Sequence, residues 1–528
     1  PIGDSTDHFT GSYNGNDKSI SNLTINRSGT DHIGLFGYLS GDVHNLTVSD
    51  ASIRGGNYTG ILCGQIEGAE GDSCQVDQCT VSGTVILDTL ANYGGGLAGH
   101  AKYSVFTNCS ASDSLSGNEC IGGFAGRLEN CLIMECSSTG TVAAANIYAG
   151  GFVGYSYINV YSLSFSTGSV SATSGFCGGF AGYTITHGFG VDEFTSCYST
   201  GAVSSGGDGC GGFLGVFSDG AVIGCWSSGD VSSTANCVGG FVGTLGNRIE
   251  GVYDCYSRGN VTRSGGSGMC FGGFCGEGEK IENCYATGSV CYSGTDDPCN
   301  KGFIGNITSG GAVTHCFFDS AACNQQSDGA ATSATTDEMK DLTTFTSAGW
   351  DFEVETTNGT DDIWDIDRAD SINNGYPYLS WQDGDDVSVP VEISVFSALF
   401  QEGAVILQWE TKSEVNNLGF ILERSGDNKA SWQQIASYQT ERTLRGQGTT
   451  VRNTEYIFTD SHVERGRSYY YRLIDVNTTG EKTVYPEFAL ATTPLPKQFA
   501  LNNIYPNPFN PSATINFALP ESKHVRVR

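Results

Sequence analysis

The stretch "CFGGFCGEGEKIENCYATGSVCYSG", Cys270 to Gly294, decides the fold. Its first half sets a doubled glycine before Phe274. Its second half, "NCYATGSV", is a cysteine followed by aromatic, small polar and β-branched residues. The same sentence recurs with small edits over the first three hundred residues. The first half returns as "GLFG" at Gly34, "GILCG" at Gly60, "GGLAG" at Gly95 and "GGFAG" at Gly122. It continues with "GGFVG" at Gly150, "GGFAG" at Gly178, "GGFLG" at Gly211, "GGFVG" at Gly239 and "KGFIG" at Lys301. The anchoring apolar residues are Leu35, Ile61, Leu97, Phe124, Phe152, Phe180, Phe213, Phe241, Phe274 and Phe303, at steps of 26 to 36 residues, most often 28. A period of this size marks a solenoid or a propeller.

The second half follows the same rhythm: "QCTVSGTV", "ECSSTGTV", "SCYSTGAV", "GCWSSGDV", "DCYSRGNV". Its cysteines are Cys79, Cys109, Cys136, Cys197, Cys225, Cys255, Cys284 and Cys316, with Ser164 in the copy that lacks one. Alternation with Thr and Val reads as short strands. A propeller blade needs about 40 residues or more, so a unit of 28 suits one coil of a β-solenoid. The expected fold is therefore all-β: a β-solenoid (β-helix) of about ten coils, then a β-sandwich. Coils stacked at about 4.8 Å place like residues in columns. The phenylalanines and the cysteine column should face inward. The doubled glycines should supply positive φ at corners and close backbone approach between layers.

The chain has 528 residues, 74 of them glycine, and a net charge of -31. An acidic surface repels phosphate, so nucleic acid and anionic membrane are poor partners. No apolar run is long enough to span a bilayer. All 20 cysteines lie between Cys63 and Cys323, without a CxxC pair. Their even number points to disulfides and an oxidising compartment; the alternative is a column of buried thiols packed as small apolar groups. Coil spacing lies within the Cα separation of a disulfide. Bonds between sequential coils are therefore expected within the first column or with a second set just before the doubled glycine, Cys120, Cys177, Cys210, Cys237, Cys270 and Cys299.

The repeats resemble the GLUG-motif family of bacterial surface and secreted proteins. The resemblance rests on many agreeing copies and on the opening "PIGDSTDHFTGSYNGNDKSISNLTINR". It implies a solenoid over 1–334, a C-terminal cap and linker over 335–387, and a missing N-terminal cap. Thr335 and Glu338 form an expected capping box for a short helix that covers the last coil. Residues 388–496 are similar to fibronectin type III-like modules, with Trp409, Phe420, Leu422, Tyr471 and Leu473 as the core. The tail "YPNPFNPSATINFALPESKHVRVR" resembles the start of a type IX secretion C-terminal sorting domain over 497–528, entered through Pro506, Asn507, Pro508 and Pro511. The family implies an extracellular, cell-surface location.

Catalytic signals are scarce. The sequence contains no HExxH, GxSxG or GxxxxGK. A lyase on acidic sugars needs clustered cations, yet residues 63–323 hold only Lys102, Arg127, Arg248, Arg258, Arg263, Lys280 and Lys301, at no recurrent repeat position. Asp192 with Glu193 and Asp296 with Asp297 are adjacent residues that point to opposite faces of a strand, so neither pair alone forms a cleft. No catalytic or cofactor-binding residue is assigned. Asp365, Asp367 and Asp370 have partial calcium-loop spacing without the glycine and distal glutamate, so calcium is the one cofactor considered. Tyr198, Trp226, Tyr256, Tyr285 and Phe317 follow the cysteines and should face outward, as a ladder that stabilises the stack or as a binding stripe. The expectation is a non-enzymatic surface protein with a structural or adhesive role and a glycan, surface or protein ligand. Self-assembly into an extracellular fibre and a polysaccharide-binding or polysaccharide-degrading β-helix are the alternatives.

Overall fold

The computed structural model describes residues 1–185, 190–266, 268–292, 300–308, 312–325, 330–353, 357–359, 362–366, 372–382, 392–401, 403–426, 431–438, 441–450, 454–477, 482–493, 500–505, 514–518 and 520. The chain divides into two compact units, Pro1–Asp386 and Val387–Arg528.

The first unit is a β-solenoid of about ten turns. Its strands form a 35-stranded and an 8-stranded sheet, paired in parallel from coil to coil. One coil shows the plan. Glu119–Gly122 leads into the glycine–phenylalanine turn, followed by Ala125–Glu129, Leu132–Met134, Ser137–Ser138 and Thr141–Ala144. Ala125 pairs with Ala98 in the coil before and Val153 in the coil after, so equivalent residues stack in register. The anchor residues form the interior column as expected. Phe124, Phe152, Phe180, Phe213, Phe241, Phe274 and Phe303 are fully buried. Their successive ring centroids lie 4.5–5.1 Å apart, close to the strand spacing. One anchor shifts: Cys63 pairs with Ala98, which places Leu62 rather than Ile61 in this column.

The doubled glycines act through close approach, and their φ is not positive. A Cβ on Gly123, Gly151, Gly179, Gly212 or Gly240 would lie 1.9–2.2 Å from the carbonyl oxygen of the equivalent glycine in the next coil. Left-handed corners fall elsewhere. Asn45, Gln78, Asn108, Glu135, Leu163, Ser196, Gly224, Asp254, Asn283 and His315 all have φ between 48° and 59°. Each immediately precedes a residue of the cysteine column or its equivalents Leu46 and Ser164.

The corner explains what the cysteines do. Each column residue donates to the carbonyl two residues earlier: Cys109 Sγ to Thr107 O at 3.3 Å, Cys197 to Thr195 at 3.2 Å, Cys284 to Glu282 at 3.1 Å. It also accepts from the coil before: Cys197 N–H donates to Cys225 Sγ at 3.3 Å and Cys255 N–H to Cys284 Sγ at 3.3 Å. Ser164 makes the same two bonds, to Ser162 O at 2.9 Å and from Cys136 N–H at 3.1 Å. No disulfide joins any of the described cysteines, so the bonds expected between coils are not seen among them; Cys299 lies outside the described residues. The reason is directional. In-register neighbours hold parallel Cβ atoms about 4.8 Å apart, whereas a disulfide draws them to about 3.8 Å. Burial pushes Cys109 and Cys197 well above the ordinary thiol range. We therefore expect Cys197→Ser, which keeps both corner bonds, to cost no more than about 1 kcal/mol in urea unfolding. Adding dithiothreitol should leave the wild-type midpoint unchanged; a midpoint lowered by reductant would contradict this account.

The expected capping box forms: Glu338 Oε2 accepts from Thr335 N–H and Oγ1, both at 2.8 Å. It heads a single turn, Glu338–Lys340, and the helix Leu342–Thr346 begins under Asp341, which accepts from Thr343 N–H. Among the described residues no helix is long and apolar enough to cross a membrane.

In the second unit the strand Ala404–Ser425 pairs antiparallel through its first half with Glu392–Gln401 and Thr454–Asp460. Its second half pairs with Gln433–Ser437, Arg445–Thr450 and Ser468–Asn477, and Ser468–Asn477 pairs with Lys482–Thr492. Trp409, Phe420, Leu422, Tyr471 and Leu473 are buried in one cluster, as read from the sequence. Ala500–Tyr505 and Thr514–Ala518 form an antiparallel pair; the Pro506–Pro511 entry lies outside the described residues.

Candidate functional site

The second column of aromatics is a ladder. Phe165, Tyr198, Trp226, Tyr256 and Tyr285 stack face to face, with centroids 4.6–5.7 Å apart and planes within 7°. Its lower part is not open to a ligand, because described residues between Ala334 and Gln382 of the chain itself lie along it. Tyr256, Tyr285 and Phe317 are buried in one cluster with Phe345, Trp350, Phe352, Trp364 and Tyr376. Three indole N–H groups of this strap donate to left-handed corners: Trp350 to His315 O at 2.9 Å, Trp364 to Asp254 Oδ1 at 3.1 Å and Trp381 to Gly224 O at 3.2 Å. The segment expected to cover the last coil thus runs along the side of several coils. Phe165, Tyr198 and Trp226 stay half-buried. A cavity of about 380 Å³ remains beside Trp226, lined by Tyr256, Arg258, Asn373 and Gln382.

Among the calcium candidates, Asp365 accepts from Tyr378 Oη and from Ile366 N–H; Asp367 and Asp370 lie outside the described residues, as do Asp296 and Asp297. Asp192 is buried, and Ser156 Oγ and Asn159 N–H donate to it at 2.7 and 2.8 Å. Burial, opposed by these bonds, pushes its carboxyl up to about 7. Glu193 is half-buried, so the pair forms no joint site.

The second cysteine set occupies two positions. Cys177 and Cys210 pair in register, three residues before the anchor, whereas Cys120, Cys237 and Cys270 stand four before it, in left-handed corners. That corner position, together with the third residue after the anchor, builds a face that the sequence reading missed. The corner column runs Tyr58, Tyr93, Cys120, Tyr148, Phe176. The strand column runs Tyr38, Gln65, His100, Arg127, Tyr155, Tyr183, paired in register.

These side chains touch from coil to coil. Tyr58 and Tyr93 stack at 4.9 Å and 5°. The Arg127 guanidinium sits 4.6 Å from the Tyr155 ring and 5.9 Å from the Tyr93 ring. Tyr148 meets Tyr183 at 4.9 Å, and Phe176 meets Tyr183 at 5.1 Å. Arg127 Nε pairs with Glu129 Oε1 at 2.6 Å, and His100 Nε2 lies 3.4 Å from the same oxygen. Burial works against the Glu129 carboxylate, but His100 and Arg127 outweigh it and hold its pKa below the ordinary range. Tyr58, Tyr93, Tyr148, Tyr155, Phe176 and Tyr183 are all half-buried. The face therefore offers flat rings and phenolic hydroxyls together with the Arg127 guanidinium and the Glu67 and Glu129 carboxylates. That chemistry stacks on apolar ring faces and hydrogen-bonds hydroxyl groups.

The GLUG motif family matches residues 117–143, which span the coil of Phe124 and Arg127. Halomucin of Haloquadratum walsbyi (strain DSM 16790 / HBSQ001) is 41% identical over 122 residues, 22% of this chain and 1% of halomucin. The chain therefore spans a very small part of that relative. A crystal structure of a Fn3-like protein from Clostridium thermocellum aligns over 21% of this chain and all of its own, with 20% identity and a TM-score of 0.16. The chain is thus a repetitive β-solenoid that carries the GLUG motif.

Proposed function

We propose that this is a secreted, surface-associated structural protein whose solenoid holds the Tyr58–Tyr183 face against glycans, in an adhesive and non-catalytic role. The observation that carries the reading is the half-buried row of rings on both sides of Arg127, whose guanidinium sits between Tyr93 and Tyr155 and bridges the one coil that lacks a ring. The GLUG match and the similarity to halomucin support the placement at the cell surface. We read residues 388–496 as a β-sandwich stalk and 497–528 as the start of a sorting domain. The common core of the second unit and the quoted tail sequence support this.

A glycan array probed with the purified chain tests the proposal. Tyr93→Ala and Tyr155→Ala should each weaken the best glycan about 10-fold or more, ~1.4 kcal/mol. Phe165→Ala, on the other ladder, should leave affinity unchanged. Equal affinity in all three variants would defeat the assignment of the face, and release of new reducing ends from any glycan would defeat the non-catalytic role.

A further inference from the structure

Further down the same two columns the aromatics give way to a different set. The corner position holds Cys237 and Cys270, with φ of 57° and 66°. The strand position holds Glu277, three residues past Phe274 and in register with Thr244. Glu277 Oε2 lies 4.0 Å from Cys237 Sγ and 3.9 Å from Cys270 Sγ, and the three atoms lie within 4.8 Å of one another. Asn306 Nδ2 donates to the same oxygen at 2.9 Å from the next coil, which fixes the carboxylate's orientation.

We propose that Cys237, Cys270 and Glu277 form a binding site for a thiophilic divalent cation, zinc in the first instance. The distances decide between the two bonds that neighbouring thiols can make. A tetrahedral zinc with Zn–S of about 2.3 Å and Zn–O of about 2.1 Å needs sulfur-to-oxygen edges of roughly 3.6 Å. The observed 3.9 and 4.0 Å require only a few tenths of an ångström of closure on these two edges, and the sulfur-to-sulfur edge, within 4.8 Å, closes to about 3.8 Å. A disulfide between these residues would have to draw parallel Cβ atoms in by about 1 Å. Both cysteines are partly exposed, unlike the buried cysteines of the other column, so an ion reaches them from solvent. Binding forms two Zn–S bonds and one Zn–O bond and releases the two thiol protons to water. Two thiolates and a carboxylate select zinc or cobalt over calcium or magnesium.

The test uses the full chain, reduced and stripped with a chelator, with cobalt(II) as the probe. A single equivalent should produce a thiolate-to-cobalt charge-transfer band and the visible bands of tetrahedral cobalt, and zinc should abolish both. Cys237→Ser and Glu277→Gln should each weaken binding about 10-fold or more, while Cys291→Ser, at an exposed cysteine, should not. Far-UV circular dichroism reports whether each variant keeps its fold, and Glu277→Gln, which changes one partly exposed group, keeps the test decisive if a cysteine variant does not fold. The proposal is overturned by the absence of a charge-transfer band, by full affinity in folded Cys237→Ser and Glu277→Gln, or by a Cys237–Cys270 disulfide in a non-reducing peptide map.

Discussion

Gly151→Ala is expected to cost ~4 kcal/mol or more, at the extreme of single substitutions, and to unfold the central coils in urea long before the wild type. The added methyl would stand 2.1 Å from Gly179 O and 2.2 Å from Ser166 Oγ. Backbone cannot yield there without breaking register, because Gly151 N–H donates to Gly178 O and Phe152 N–H to Phe180 O in the same turn. The clash would recur at every layer, since Gly123, Gly179, Gly212 and Gly240 face the next coil in the same way. Ala143→Ser, at an exposed site on a neighbouring strand, should stay within about 0.5 kcal/mol. A loss below about 1 kcal/mol for Gly151→Ala would mean that the layers can part more easily than described.

Trp364→Ala should cost ~3–5 kcal/mol, the usual range for a large aromatic removed from a core. Trp364 is fully buried, packs 4.6 Å from Trp350 and donates to Asp254. The cost should also depend on pH. Burial pushes the Asp254 carboxyl up to about 7, and the hydrogen bond from Trp364 is the largest influence opposing it. The groups around it are Asn283, Glu282 and Asp351. With its folded pKa raised, Asp254 binds its proton more tightly in the native state, so its contribution is present near pH 4 and is lost as pH rises through about 7. Removing the indole donor makes the ionised form costlier still. Urea unfolding should therefore show a larger deficit at pH 8 than at pH 5. A deficit independent of pH would show that the bond to Asp254 does not matter.

The solenoid was legible because coil-on-coil stacking demands like residues at like positions, so "GGFVG" and "NCYATGSV" repeat in plain view. The interior phenylalanine column and the core around Trp409 and Tyr471 followed from the same alternation. The role of the cysteine column was harder to read, because an even number says nothing about the direction of Cβ; Ser164 was the clue, since a hydroxyl replaces a thiol in a corner but not in a disulfide. The strap was hidden because Trp350, Trp364 and Trp381 have no period that says which coil each meets. The Tyr93–Arg127–Tyr155 face was missed for a related reason. Its positions carry Tyr, His, Arg, Gln and Cys in turn, so no column of identical letters draws attention to it, although the offset from each anchor is constant.

The indole bonds from residues 350, 364 and 381 to the corners at 315, 254 and 224 have a mechanical meaning. An unfastened spiral under tension gives way one winding at a time, each rupture releasing a short length at low force. Here those windings are riveted by one crosswise clasp. Traction on this region must shear several tryptophan anchors before the first winding peels, which raises the rupture force and makes failure abrupt.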